Sequence, residues 1–243
     1  MRDKINIWLV IRLYLVLIFW SVVFFPVLFI PRKFHYKTFW IVFIRLFLFG
    51  IKVRPHIFES EIDIKETKNV IFASTHKTFA DTYFISYFLR HPFTILFREG
   101  IFKSILFKFM CWRMSLISID MNNPEKQKNS FEKLEKMVKD KYSIIMFPEG
   151  WYVEDKPVGN LKRGVAKMAK DWDIGVVPIA IYGLTNSFSA QKDFKWRDVY
   201  LSFGKPIKYS DFNNEEQFLS TLKSKMGELY LKMESNLKGV LKN

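Results

Sequence analysis

Between residues 69 and 181 the chain alternates short apolar runs with longer segments of helical period, and nothing else in the sequence narrows its fold as sharply. The runs at 69–74, 93–97, 115–119, 142–147 and 175–181 have strand length and are rich in Ile, Val and Phe. Segments 79–89, 101–112, 125–139 and 161–170 place apolar residues at helical spacing between them. A strand that returns after a helical crossover lies parallel to its predecessor, and the helices cover the sheet faces. The expected fold class is therefore α/β, a mostly parallel mixed sheet covered by helices. Residues 51–58 read as a first strand, 59–68 as a charged loop, 199–203 as a further strand and 215–237 as a long closing helix.

Within that frame the first run of the alternation ends at a histidine, and an aspartate follows five positions later: Ile71-Phe72-Ala73-Ser74-Thr75-His76-Lys77-Thr78-Phe79-Ala80-Asp81. On one continuous helix, residues five apart point about 140° away from each other, so His76 and Asp81 would not meet. They meet if His76 lies in the turn before a helix that Thr78 caps, with Asp81 in its first turn. Asp81 then fixes the tautomer of His76 and leaves the second ring nitrogen free to take a proton from a hydroxyl. Such a pair arises by chance with a probability of roughly 0.2 in a chain of this composition, so it needs company.

Charge and apolar content choose among partners. A net charge of +14 suits nucleic acid or an anionic membrane surface, but 49% hydrophobic and 18% aromatic residues, with 26 Phe, favour the membrane and argue against nucleic acid. Residues 13–30 carry no formal charge and are near the lower limit for spanning a bilayer. A second apolar stretch, 38–49, is broken only by Arg45 and is too short to span. Residues 1–50 are thus expected to anchor the chain as a membrane-embedded helical hairpin, spanning or dipping into one leaflet, and 51–243 to form the catalytic domain. No small-residue cleavage site follows the first segment. Arg2, Lys4, Arg12, Arg32, Lys33, Lys37 and Arg45 would meet anionic headgroups on the cytoplasmic face. The single cysteine, Cys111, excludes an internal disulfide, and no histidine or cysteine cluster has metal-ligand spacing.

A second strand end supplies the company. The run 142–147 stops at Pro148-Glu149-Gly150, and ligands in open α/β sheets collect at the carboxyl ends of strands, so His76 and Glu149 are expected to share an edge. Glu149 is suited to bind hydroxyls or to hold a nearby backbone, and Gly150 lets the chain turn tightly.

Together, Thr75 to Asp81 and Phe147-Pro148-Glu149-Gly150 resemble the glycerolipid acyltransferase family that includes the 1-acylglycerol-3-phosphate acyltransferases. Leu161-Lys162-Arg163-Gly164-Val165-Ala166 is similar to the segment that follows in that family, and Gly175-Val176-Val177-Pro178-Ile179-Ala180-Ile181-Tyr182-Gly183 to its last motif. The likeness covers roughly residues 50 to 210 with block order preserved, which chance supplies far more rarely than one block.

The resemblance implies a membrane-bound acyl transfer in phospholipid biosynthesis or remodelling. His76, held by Asp81, would deprotonate a lysophospholipid hydroxyl that attacks the thioester of acyl-CoA or acyl-carrier protein. No protein nucleophile, metal or resident cofactor is needed. The thioester is already activated, so a base, proximity and oxyanion donors suffice; backbone N–H groups at the start of the 79–89 helix are candidate donors. Two departures bear on the acceptor. Trp151-Tyr152-Val153 stands where the family usually has Thr-Arg-Ser, and Met121 stands where an arginine is expected. Arg98, Lys103, Lys162 and Arg163 remain as substitute phosphate contacts, beside Glu149 and Gly150 in the substrate site. A lipid or thioester hydrolase and a non-catalytic membrane adaptor are the competing readings.

Overall fold

The computed structural model describes residues 40–99, 115–120, 122–153, 156–183 and 196–238. In chain order these form α1 (Trp40–Gly50), β1 (Val53–Ser60), β2 (Ile71–Ser74), α2 (Asp81–Phe88), β3 (Phe93–Arg98), β4 (Ile117–Ile119), α3 (Pro124–Lys139), β5 (Ser143–Met146), α4 (Gly164–Asp171), β6 (Val176–Tyr182), β7 (Arg197–Phe203) and α5 (Glu215–Leu237). Of the expected elements, the helix over 101–112 lies outside the described residues.

The seven strands build one sheet in the order β1-β7-β6-β2-β5-β3-β4. β2 to β6 are mutually parallel, as the alternation predicts. β7 pairs antiparallel with β6, and β1 parallel with β7, so those two run against the other five. The starts of β1 and β7 therefore lie at the same edge as the carboxyl ends of β2 to β6.

Both faces are covered. Phe72, Ile145, Val177, Ile179 and Ile181 point into a core shared with α1 and α2, while Ile71, Ala73, Ile144 and Met146 point into one shared with α3, α4 and α5. Adjacent strand residues thus go to opposite cores, as the period of two requires. The buried stripe of α5 runs through Phe218, Leu222, Met226, Leu229, Met233 and Leu237, and Asn214 caps the helix by accepting the Gln217 N–H at 2.8 Å.

α1, which overlaps the stretch 38–49 expected to form the second arm of a membrane hairpin, packs one of its faces on the domain. Trp40, Ile44 and Leu48 recur every fourth residue and are buried in the first core, with Phe47 against Tyr83 at 4.2 Å and Trp40 edge-on to Phe93 at 5.5 Å. α1 thus packs against α2 and β1. The outer face of α1 leaves Val42, Leu46 and Phe49 exposed. The other arm, 13–30, lies outside the described residues, and among the described residues no helix is long and apolar enough to cross a membrane.

Candidate active site

β2 ends where its ladder with β6 is replaced by a side chain. The Thr75 N–H still reaches the Ile179 carbonyl at 3.1 Å, but the Ile181 N–H is taken by Thr75 Oγ1 at 3.0 Å, and the chain turns away. Residues 76–80 then wind around the carboxylate of Asp81. Its Oδ2 accepts from His76 Nδ1 (3.0 Å), Lys77 N (2.6 Å) and Thr78 N (2.8 Å), and its Oδ1 from Thr78 Oγ1 (2.8 Å). Asp81 is fully buried. Four donors converge on an acceptor-only group, which answers the cost of burying it.

This arrangement corrects one expectation and narrows another. Thr78 is not the helix cap: α2 starts at Asp81 with Ala80 before it, and Thr78 Oγ1 accepts the Ala80 N–H at 3.1 Å. The amides of Lys77, Thr78, Ala80 and Asp81 are all spent inside the turn, which removes them from the candidate oxyanion donors near the helix start.

Because Asp81 can only accept, His76 Nδ1 carries the proton in the neutral imidazole and Nε2 is left as an acceptor. No described residue hydrogen-bonds Nε2. The imidazole stacks on Phe147 with centroids 3.9 Å apart and meets Tyr152 at 4.3 Å. Burial, and then the charge of Asp81, push the Tyr152 hydroxyl above its ordinary value, so it stays protonated at neutral pH. The pair can hold one imidazole edge fixed and take a proton at the other.

Glu149 lies underneath. Its Oε2 accepts the His76 N–H at 3.0 Å and its Oε1 the Gly159 N–H at 2.7 Å. Of its two candidate roles, holding backbone is the one the geometry fills; both oxygens are engaged away from solvent. Burial raises this carboxyl above its usual range, while the N–H groups of Gly159 and His76, then the charges of Lys77 and His76, pull it back. Gly150 has φ +75° and donates its N–H to Phe147 O at 3.0 Å, a turn in the left-handed region that glycine accepts without strain. Two contacts escaped sequence reading. Val153 donates its N–H to the His76 carbonyl at 3.0 Å, and a Cβ on Gly159 would stand 2.8 Å from Val153 Cγ2. The first joins residues far apart in sequence and the second lies within one loop; only the glycine itself is a signal.

The candidate phosphate contacts scatter. Arg98 is exposed at the carboxyl end of β3, while Glu99 faces Lys126 at 3.6 Å rather than Arg98. Lys162 is exposed beside the Gly150 turn. Arg163, whose side chain is 89% exposed, pairs with Glu215 at 3.2 Å and belongs to the α4–α5 surface more than to the imidazole. Lys103 and Met121 lie outside the described residues.

Comparison with known proteins gives this arrangement a family. A family model described as Acyltransferase matches residues 56–182, just over half of the chain. The chain is 26% identical over 168 residues to the chloroplastic 1-acyl-sn-glycerol-3-phosphate acyltransferase LPAT1 of Arabidopsis thaliana, covering 65% of this chain and 44% of that protein. It is 26% identical over 145 residues to the 1-acyl-sn-glycerol-3-phosphate acyltransferase of Borreliella burgdorferi, covering 60% and 57%. It therefore spans about half the length of the curated relatives it matches. A crystal structure of the 1-acyl-sn-glycerophosphate acyltransferase PlsC from Thermotoga maritima superposes with a TM-score of 0.72 at 17% identity, over 96% of this chain and 98% of that one, which establishes a shared fold. His76, Asp81, Glu149 and Gly150 all fall inside the matched span, and the chain belongs to the Acyltransferase family.

Proposed function

We propose that the protein is a membrane-associated O-acyltransferase. It moves a fatty acyl group from acyl-CoA or acyl-carrier protein to the hydroxyl of a lysophospholipid, 1-acylglycerol-3-phosphate or a related lipid alcohol, in phospholipid synthesis or remodelling. The observation that carries this reading is His76: Nδ1 tied to Asp81, Nε2 without a hydrogen-bond partner among the described residues, on the edge where Gly150 turns. Nε2 takes the hydroxyl proton as the oxygen bonds to the acyl carbon. The C–S bond then breaks, and the leaving thiolate takes that proton from the imidazolium. A positioned base of this kind contributes roughly 10²–10⁴ in rate, the remainder falling to proximity and oxyanion stabilisation.

Exposed aromatics support attachment to lipid. Phe49, Phe79, Trp151 and Trp196 are large and exposed, and each leaves or enters the sheet at the carboxyl edge of the parallel strands. Phe49 meets Trp196 edge-on at 5.7 Å, and the Arg54 guanidinium lies 5.4 Å over the Trp196 ring. Aromatic residues beside cations suit a membrane interface with anionic headgroups, consistent with the cytoplasmic leaflet. Seated that way, the edge would let the acceptor reach His76 from the bilayer.

The test is thiol release from long-chain acyl-CoA by purified full-length protein in detergent. Release is expected only with a lyso-lipid present and is expected to vanish in a folded His76→Ala variant. Release without acceptor would instead mark a thioesterase, and no turnover across donors and acceptors would mark an adaptor.

A further inference from the structure

Lys77 follows the base in sequence, yet its side chain turns into the protein, leaving the residue 3% exposed. Its Nζ donates to the carbonyls of Val153 and Lys156, each at 2.7 Å, and lies 4.8 Å from the Tyr230 ring centroid on α5. Tyr230 packs edge-on against Tyr182, at the end of β6, at 5.4 Å. A buried ammonium is costly unless its donors are met, and here two carbonyls and an aromatic face help to meet them. Three separate pieces of chain, the catalytic turn, the 148–160 loop and α5, therefore meet at one nitrogen.

Val153 is the consequential partner. Its N–H goes to the His76 carbonyl and its own carbonyl receives Lys77 Nζ, so its peptide groups are held on both sides. Tyr152, the residue before it, is the ring that meets the imidazole at 4.3 Å.

We infer that Lys77 is a positioning residue: its ammonium pins the 148–160 loop and α5 to the catalytic turn, and thereby holds Tyr152 against His76 so that Nε2 meets an acceptor hydroxyl rather than water. The inference rests on the acyltransferase reading for its second half, whereas the pinning stands on geometry alone. With the ammonium removed, the Val153 and Lys156 carbonyls lose a charge-assisted partner, Tyr152 is held less firmly, and water gains access to Nε2. Hydrolysis then competes: water loses its proton to Nε2, its oxygen bonds the acyl carbon, and the C–S bond breaks with the proton passing to sulfur.

The experiment pairs hydrogen exchange with product analysis on Lys77→Met, which keeps the length and removes the charge, on Lys77→Arg, and on Tyr230→Leu, which reports the α5 contact should Lys77→Met fail to fold. In Lys77→Met the amides of Val153 and Gly159 are expected to exchange at least about tenfold faster, with those of β2 and β6 unchanged. Transfer is expected to fall by roughly ten- to a hundredfold while acceptor-independent thiol release rises relative to transfer. Lys77→Arg should restore part of both, and Tyr230→Leu should shift both in the same direction by less. Unchanged exchange at Val153 and Gly159 in the folded variants overturns the pinning. Faster exchange with transfer and hydrolysis falling in equal proportion overturns the exclusion of water. A wild-type protein that transfers nothing overturns the acyltransferase reading instead, and the exchange data still decide the pinning.

Discussion

Asp81 carries more than the imidazole. Its carboxylate organises the turn through the Lys77 and Thr78 amides and the Thr78 hydroxyl as well as His76 Nδ1, so an Asp81→Asn variant replaces an all-acceptor group by one that must point two N–H donors at donors. The expected outcome is a loss of about 10³–10⁴ in kcat from the misassigned tautomer. A loss of roughly 1–3 kcal/mol in unfolding free energy should accompany it, measured by urea titration, because buried amides lose their acceptor. A variant that keeps its stability and most of its rate would show that Asp81 does neither job. The pairing itself is legible in the sequence, since a five-residue separation is incompatible with one helix and a turn resolves it. Which atoms pair is not legible. The winding of 76–80 around the carboxylate is what delays α2 to Asp81, and a threonine at 78 looks like a cap until that winding is seen.

At the level of elements, the 148–160 loop is where long-range contacts concentrate. Glu149 bridges the His76 and Gly159 amides, so Glu149→Gln leaves one of those N–H groups facing an NH₂. It is expected to destabilise the fold by about 1–3 kcal/mol and to make the loop cleavable by protease while β2 and β6 stay protected. Protease resistance equal to wild type would show that the bridge does not hold the loop. Sequence period locates β5 and its exit turn because strand and turn chemistry are local. It misplaces the start of the following helix, expected at 161 and found at Gly164, because the Lys162 N–H is drawn to the Pro148 carbonyl at 2.7 Å. For the same reason Arg163 reads as a phosphate contact until Glu215, brought near by α5, is found across from it. α1 reads as a lipid-facing piece because its apolar residues nearly encircle the helix. Trp40, Ile44, Phe47 and Leu48 pack into the core while Val42, Leu46 and Phe49 stay exposed, a division that the run of apolar residues does not announce.

For the whole molecule, the parallel core is legible because a strand–helix alternation leaves few other topologies. The reversed pair β1 and β7 is not, since no short turn announces the antiparallel step. Global stability should carry a pH signature from the opposite edge of the sheet. His91 is buried beside Ser143, with Nε2 3.1 Å from the Ser143 hydroxyl, and its Nδ1 lies near the Lys65 carbonyl without a hydrogen bond of normal geometry. Burial lowers it from 6.5 to about 4, so the native state holds it neutral. The unfolded chain gains a proton below pH 6.5 that the native state refuses until about pH 4; stability is therefore intact above 6.5 and declines as pH falls between those values. The full loss amounts to about 3 kcal/mol. Unfolding free energies measured from pH 7.5 to 4 should show a slope that His91→Gln removes in part, and an identical slope in both proteins would exclude this origin.

The peptide of His76 is gripped at its N–H by Glu149 and at its C=O by Val153, so half the specification of the base is written some seventy residues downstream. A graft of 75–81 onto another parallel strand would carry the imidazole and its carboxylate but not the hand that aims them. In descent, too, the two segments must change as one: a substitution tolerated in the downstream loop is one that leaves the upstream peptide where it was.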